Sequence, residues 1–180
     1  ISELEEDLKT SSEEDIVNLS VRRYRGLSEL KSLLGSNEIE FNGCGGVEIF
    51  KSKSDLDFYS EKLTKWNNLF LSEFKSDVYS IKKANNFRGL KNIAGAIMNE
   101  FEGSLNTGKM IAQMRLKALS LGVEIYNGVN VLWFSHSASG VEINSSAGTW
   151  RAEQVIFCVN AFANNFGFQF DIQPKRNQVI

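Results

Sequence analysis

The sequence predicts a mixed α/β fold, and three features carry that expectation. Met110, Ile111, Met114, Ala118 and Leu121 recur at helical spacing, so residues 107–121 read as a helix with one apolar face. Gly122 follows where a helix ends in a left-handed residue, and Val123 and Ile125 then flank Glu124 in the alternation of a half-buried strand. The second feature is residues 154–159, a nearly continuous apolar run suited to a strand buried on both faces of a parallel sheet. The third is a set of short runs at 131–134, 140–143 and 148–151, separated by small and polar residues, which read as a three-stranded meander. Helix, glycine and strand form the joint of a layered α/β domain. The central helix is therefore expected to pack on a sheet holding both 123–126 and 154–159.

The remaining elements follow from local signals. Residues 2–8 read as a short helix with Leu4 and Leu8 one turn apart. Ser11 and Glu14 have capping-box spacing. Ile16, Tyr24, Leu27, Leu30 and Leu34 then sustain a helical stripe that stops at Gly35. Residues 39–41 and 47–50 read as strands of a hairpin, because Asn42-Gly43-Cys44-Gly45-Gly46 between them tolerates positive φ. Ser54 is placed to cap a helix over 55–74 whose buried side is Phe58, Leu63, Trp66, Leu69 and Phe70. Residues 76–90 carry no clear pattern, 96–101 read as a strand, and Thr107 is placed to cap the central helix. Residues 171–180 read as a closing strand.

Composition excludes several function classes. The 180 residues are 42% apolar, with thirteen Phe and three Trp, enough for a packed core. Twenty basic residues against 22 acidic ones leave no basic stripe for nucleic acid and no polybasic helix for a membrane surface. No apolar run approaches the ~18 residues that span a bilayer, and the acidic start does not read as a signal peptide. Cys44 and Cys158 lie far apart and make no disulfide framework, so a reducing cytoplasm is expected and both are read as structural. Ile1 is not a start methionine, and Gln178-Val179-Ile180 ends inside a strand pattern, so the sequence reads as a piece of a longer protein.

Few residues suggest chemistry by themselves. Residues 43–46 fail the dinucleotide fingerprint, because Glu48 stands where a third glycine is needed and a strand follows. They read as a turn. His136 is the single histidine, set among small polar residues with no ligand partner at metal spacing, and reads as a solvated turn residue. No catalytic residue can be named from the sequence.

The phrase EGSLNTGKMIAQMRLKALSLGVEIYNGVNV (102–131), with AEQVIFCVNAFANN (152–165) and DIQPKRNQVI (171–180), resembles the FAD-dependent amine oxidoreductases grouped with D-amino acid oxidase and glycine oxidase. The resemblance implies an incomplete sheet of the FAD-binding type, with an interleaved, mostly antiparallel substrate-domain sheet. It assigns 1–36 and 103–168 to the cofactor domain, and 37–102 and 169–180 to the substrate domain. It implies FAD as cofactor, a small amine or amino acid as substrate, and backbone contact between Val131 and the adenine ring. From the residues alone, core packing serves equally for Val131.

In the resemblance, Asn160, Ala161 and Phe162 lie at a strand end near the cofactor, where the family usually has glycine for Asn160 and often tryptophan for Phe162. Arg176, in a pattern similar to P-x-R-x-Q, bears on a carboxylate substrate, or else is an ordinary solvated strand residue. Residues 103–108 lie near the flavin, with Asn106-Thr107-Gly108 replacing a commoner Asp-Pro. The glycine fingerprint would precede Ile1, so this piece is expected not to retain FAD. Asn127-Gly128 favours a hairpin, whereas the resemblance implies a bend between layers. A reading from another class remains: a self-contained α/β module that binds a ligand or partner without redox chemistry.

Overall fold

The computed structural model describes residues 1–87, 89–138, 140–172 and 175. The chain forms two compact units, Ile1–Val123 and Glu124–Ile180.

The first unit is a three-stranded antiparallel sheet covered by helices. Its elements are α1 (Ser2–Thr10), α2 (Glu13–Leu34), β1 (Gly46–Phe50), α3 (Lys53–Ser60), α4 (Leu63–Phe74), β2 (Tyr79–Lys83), β3 (Gly95–Asn99) and α5 (Thr107–Ser120). β3 is the central strand, with Asn99 opposite both Gly46 of β1 and Tyr79 of β2. Ala96 and Ile97 at its middle are fully enclosed. The core joins Leu4, Ile16, Phe50, Leu63, Trp66, Phe70, Val78 and Ile97. Trp66 and Phe70, one turn apart, are the largest buried side chains and fix the face that α4 turns to the sheet.

Asn67 ties α4 to β2. It is buried, its Oδ1 accepts from the amides of Val78 (3.0 Å) and Tyr79 (2.8 Å), and its Nδ2 donates to the Tyr79 carbonyl (2.9 Å). One amide side chain thus satisfies three backbone groups where the chain turns from helix into strand. Charge pairs add to the helix layer: Lys62 of α4 donates to Glu5 of α1, and Lys65 of α4 meets Glu13 of α2 at 3.0 Å.

Several local expectations shift. The cap of α2 is Ser12 rather than Ser11; its hydroxyl accepts from the Asp15 amide at 3.1 Å. The helix expected over 55–74 is two helices broken at residues 61–62. Ser52 rather than Ser54 caps the first, accepting from the Asp55 amide. Phe58 is exposed, because the break rotates it off the buried face, and Lys62 Nζ lies 3.9 Å from its ring centre. The expected 39–50 hairpin does not form. Residues 35–41 coil into turns, with the Ile39 amide bonded to the Gly35 carbonyl and the Phe41 amide to Ser36. β1 pairs instead with β3, far downstream. The unpatterned 76–90 segment contains β2.

α2 ends at Gly35 as read from the sequence, with φ 83°. Its stripe is buried at Ile16 and Leu34, but Leu19 and Tyr24 between them are largely exposed. α5 is capped by Asn106 rather than Thr107; the Asn106 side chain accepts from the Lys109 amide at 3.1 Å. It closes as read: Gly122 has φ 81°, its amide bonds the Leu119 carbonyl at 3.0 Å, and the Val123 amide bonds the Ala118 carbonyl at 3.1 Å. No α5 residue is buried, and Ile111, Met114 and Leu121 are exposed.

The second unit holds the expected meander: β4 (Val131–Ser137), β5 (Gly140–Ser145) and β6 (Gly148–Ala152), antiparallel in that order. At Gly140 (φ 123°) any Cβ would lie 2.5 Å from the Ala152 carbonyl oxygen, so only glycine fits. β4 runs further than read, so His136 is an exposed strand residue rather than a turn residue, edge-on to Phe134.

Residues 123–126 and 154–159 form no strand ladder, contrary to the expected shared sheet. No neighbouring strand among the described residues pairs with either, and Ile156 is 87% exposed. Residues 124–126 do not pair with 129–131, and Gly128 (φ 73°) bends the chain, in keeping with the resemblance rather than with the local hairpin signal. Of the expected closing strand, residues 171 and 172 are irregular; 173, 174 and 176–180 lie outside the described residues. Among the described residues no helix is long and apolar enough to cross a membrane.

Two outcomes are expected. Asn67→Ala leaves backbone groups of residues 78 and 79 without partners, at ~1–3 kcal/mol for each one that stays buried. The urea midpoint should fall by an amount equivalent to at least ~2 kcal/mol at unchanged m; a variant as stable as the parent would refute the clamp. Burial, then the charge of Glu102, pushes the Tyr79 phenol up to about 12. A folded value above the unfolded one stabilises the protein below pH 10 and is lost as pH rises toward 12. Ultraviolet titration should show one tyrosine ionising last, and Tyr79→Phe should remove that step and flatten the alkaline loss of stability.

Candidate functional site

The first unit holds residues 103–108 in a closely fitted loop. Asn42 and Ser104 exchange backbone hydrogen bonds at 2.8 and 2.9 Å, and the Gly45 amide bonds the Glu102 carbonyl at 3.1 Å. The glycine-rich segment expected to turn a hairpin therefore lines this loop instead. A Cβ on Gly103 would lie 2.4 Å from the Asn42 carbonyl oxygen and 2.8 Å from the Phe41 ring, so the approach requires glycine. Asn106 then caps α5 and also donates through Nδ2 to Glu40 at 2.8 Å. Lys109 donates to the same carboxylate at 2.5 Å. Hydrogen bonds from Lys109, then Asn106, hold the Glu40 carboxyl below its ordinary value. The entry to α5 is thus fixed by an amide, a lysine and a carboxylate, in place of the proline-led start of the family pattern.

The second unit places Val131 at the start of β4, opposite Ser145 and beside a register shift that falls between Val131 and Trp133. Val131, Phe134, Ile143, residues 155–159 and Phe166 line an apolar depression of about 170 Å³. Phe134 and Phe157 form its aromatic wall, 4.6 Å between centroids. Asn160 follows directly, with φ 46°, opening a 3₁₀ turn over Asn160–Phe166. That left-handed angle is the one glycine adopts freely and asparagine tolerates, so the substitution keeps the bend. Ala161 is half-buried and Phe162 is 67% exposed, turned away from the depression. Val131 and the segment leading to Asn160 therefore come together, whereas Phe162 does not join them.

These residues fit one end of a flavin dinucleotide. The depression is smaller than the ~300–1,000 Å³ of sites that enclose a small molecule. Its apolar lining suits a ring rather than a pyrophosphate. Among the described residues no glycine loop leads directly into a helix N-terminus, the arrangement that cradles phosphates.

Arg176 lies outside the described residues. Cys44 and Cys158 are both free and exposed, so neither is a packed core thiol. No group of three His, Cys, Asp or Glu among the described residues is arranged to hold a metal. Sequence reasoning missed a cavity of about 480 Å³ between α1, α2 and the first sheet. Its polar residues come from positions 3, 7, 23, 48 and 102, and only the unusually exposed stripe of α2 hints at it.

Solved structures share this architecture. The chain superimposes on glycine oxidase from Geobacillus kaustophilus with TM-score 0.66 at 21% identity, over 88% of this chain and 43% of that one. Glycine oxidase from Bacillus cereus gives 0.62 at 15%, over 81% and 42%. Iminodiacetate oxidase from Chelativorans sp. BNC1 gives 0.62 at 18%, over 84% and 41%. The chain thus spans less than half the length of each. No curated protein sequence matches it. The family model of FAD dependent oxidoreductases matches residues 4–180, so the chain belongs to that family.

Proposed function

We propose that this chain is part of a flavoprotein that oxidises the C–N bond of an amine or amino acid. The observation that carries the reading is the family match, which runs over nearly the whole chain. Support also comes from fold similarity to several amine-oxidising and amino-acid-oxidising enzymes. When bound, FAD supplies the hydride acceptor for the carbon beside the nitrogen.

This chain's own part is to orient. In this proposal the Val131 backbone faces the adenine ring, the turn at Asn160 and Ala161 brings main chain close to the cofactor, and Phe162 covers it. Arg176 bears on a substrate carboxylate through its forked donors. Residues 1–36 and 103–168 belong to the cofactor side, and 37–102 and 169–180 to the substrate side. The depression beside Val131 and the glycine-like angle at Asn160 support the cofactor placement. The exposure of Phe162 requires that side chain to turn inward when the cofactor binds.

These contacts are too few to hold the cofactor alone. Two or three hydrogen bonds contribute ~0.5–1.5 kcal/mol each, against ~8 kcal/mol for micromolar binding. After incubation with excess FAD and dialysis, the 180-residue chain should show no flavin absorbance. A longer chain that adds a glycine fingerprint upstream should be yellow, and its flavin should bleach anaerobically with an amine or amino acid. Stoichiometric flavin on the 180-residue chain would overturn the cofactor placement. A yellow longer chain bleached by neither substrate class would overturn the reaction.

A further inference from the structure

The cavity of the first unit has a chemical character of its own. Its volume, about 480 Å³, is that of a small-molecule site. One wall is aromatic: Tyr24, Phe74 and Phe101 meet edge to face, with centroids 5.4, 5.5 and 4.7 Å apart. The middle of the α2 stripe, Leu19 to Leu27, faces this space instead of packed protein. The rim is acidic, with Glu3 and Asp7 from α1, Glu48 from β1 and Glu102 after β3, against one guanidinium, Arg23.

Two of these carboxylates already act on groups at the cavity. Glu102 accepts from Asn99 Nδ2 at 2.8 Å, and its charge reaches the Tyr79 phenol. Glu48 accepts from an ammonium, the amino group of Ile1, at 2.6 Å, and from the Ser2 amide at 3.1 Å. Burial pushes the Glu48 carboxyl up, but these donors outweigh it and the net value lies below the ordinary one.

The geometry points to a binding site for an organic ammonium ion carried on an apolar body. The rings take the body and the cation's approach to their faces, and the carboxylates at the rim take the ammonium. A ligand bearing a carboxylate meets four like charges for one Arg23. This goes beyond the oxidation reading and needs no flavin, so the two stand or fall separately.

The test uses three isosteric probes on the flavin-free protein: phenethylammonium, phenethyl alcohol and phenylacetate, followed by aromatic and methyl NMR shifts. Phenethylammonium should give saturable shifts at Tyr24, Phe74, Phe101 and Leu19. The alcohol should bind at least about tenfold more weakly, the difference one charge-assisted contact makes, and phenylacetate not at all. Asp7→Asn and Glu102→Gln should each weaken the ammonium several-fold and leave the alcohol unchanged. Should either variant fail to fold, the parent protein still decides, because ammonium binding there should weaken with added salt while alcohol binding does not. Equal binding of amine and alcohol, preference for phenylacetate, no saturable amine binding, or amine shifts confined to residues 124–172 would each overturn the site.

Discussion

The first unit depends on the docking of α4. Trp66 and Phe70 turn one face of that helix into the sheet, and burying two such rings supplies ~2–3 kcal/mol each. The same turn carries Asn67, whose amide completes backbone hydrogen bonding just before β2 begins. Apolar burial is tolerant of small rotations, but three hydrogen bonds from one planar group are not. Asn67 therefore sets where β2 starts, and the β2 register sets which residues of β3 face α4. Ile97 at the centre of the sheet is enclosed because that register holds.

What was legible in the sequence was local. The Gly35 and Gly122 stops, the buried side of α4 and the meander all rest on neighbours within a few residues, and all are observed. The caps were legible as a chemical type but not to the residue. In runs such as Thr10-Ser11-Ser12 and Asn106-Thr107, adjacent side chains could each accept the same amide, and backbone angle chooses among them. The hairpin over 39–50 failed for a different reason. Its turn residues were real turn formers, but the partner of β1 lies some fifty residues downstream, and local chemistry does not register a competitor at that distance.

The second unit shows the limit of reading burial from composition. Residues 154–159 have the apolar run of a doubly covered strand, yet the described residues form no ladder beside them. Ile156 stands exposed as a result. The pattern reports what such a segment requires, and this chain spans 43% of the Geobacillus enzyme it superimposes on. The meander behaves differently because each strand finds its partner one turn away. Ser145 even closes its own turn, donating to the Gly148 carbonyl and accepting from the Ala147 amide.

The two candidate sites differ in how a sequence can encode them. At Val131 and Asn160 the functional groups are main-chain atoms, so any residue that tolerates the local φ and ψ can stand there. Asn160, at φ 46°, holds a glycine's place without a glycine's signature. Such a site is visible only through resemblance or coordinates. The acidic cavity is made of side chains, yet it was equally hidden, because its carboxylates come from α1, β1 and the loop after β3. No spacing rule unites residues 3, 7, 48 and 102 until antiparallel pairing of β1 with β3 brings Glu48 and Glu102 to the same side of α1 and α2. The charge character of that cavity is therefore a product of sheet register, and a one-residue slip of β1 would turn Glu48 to the opposite face.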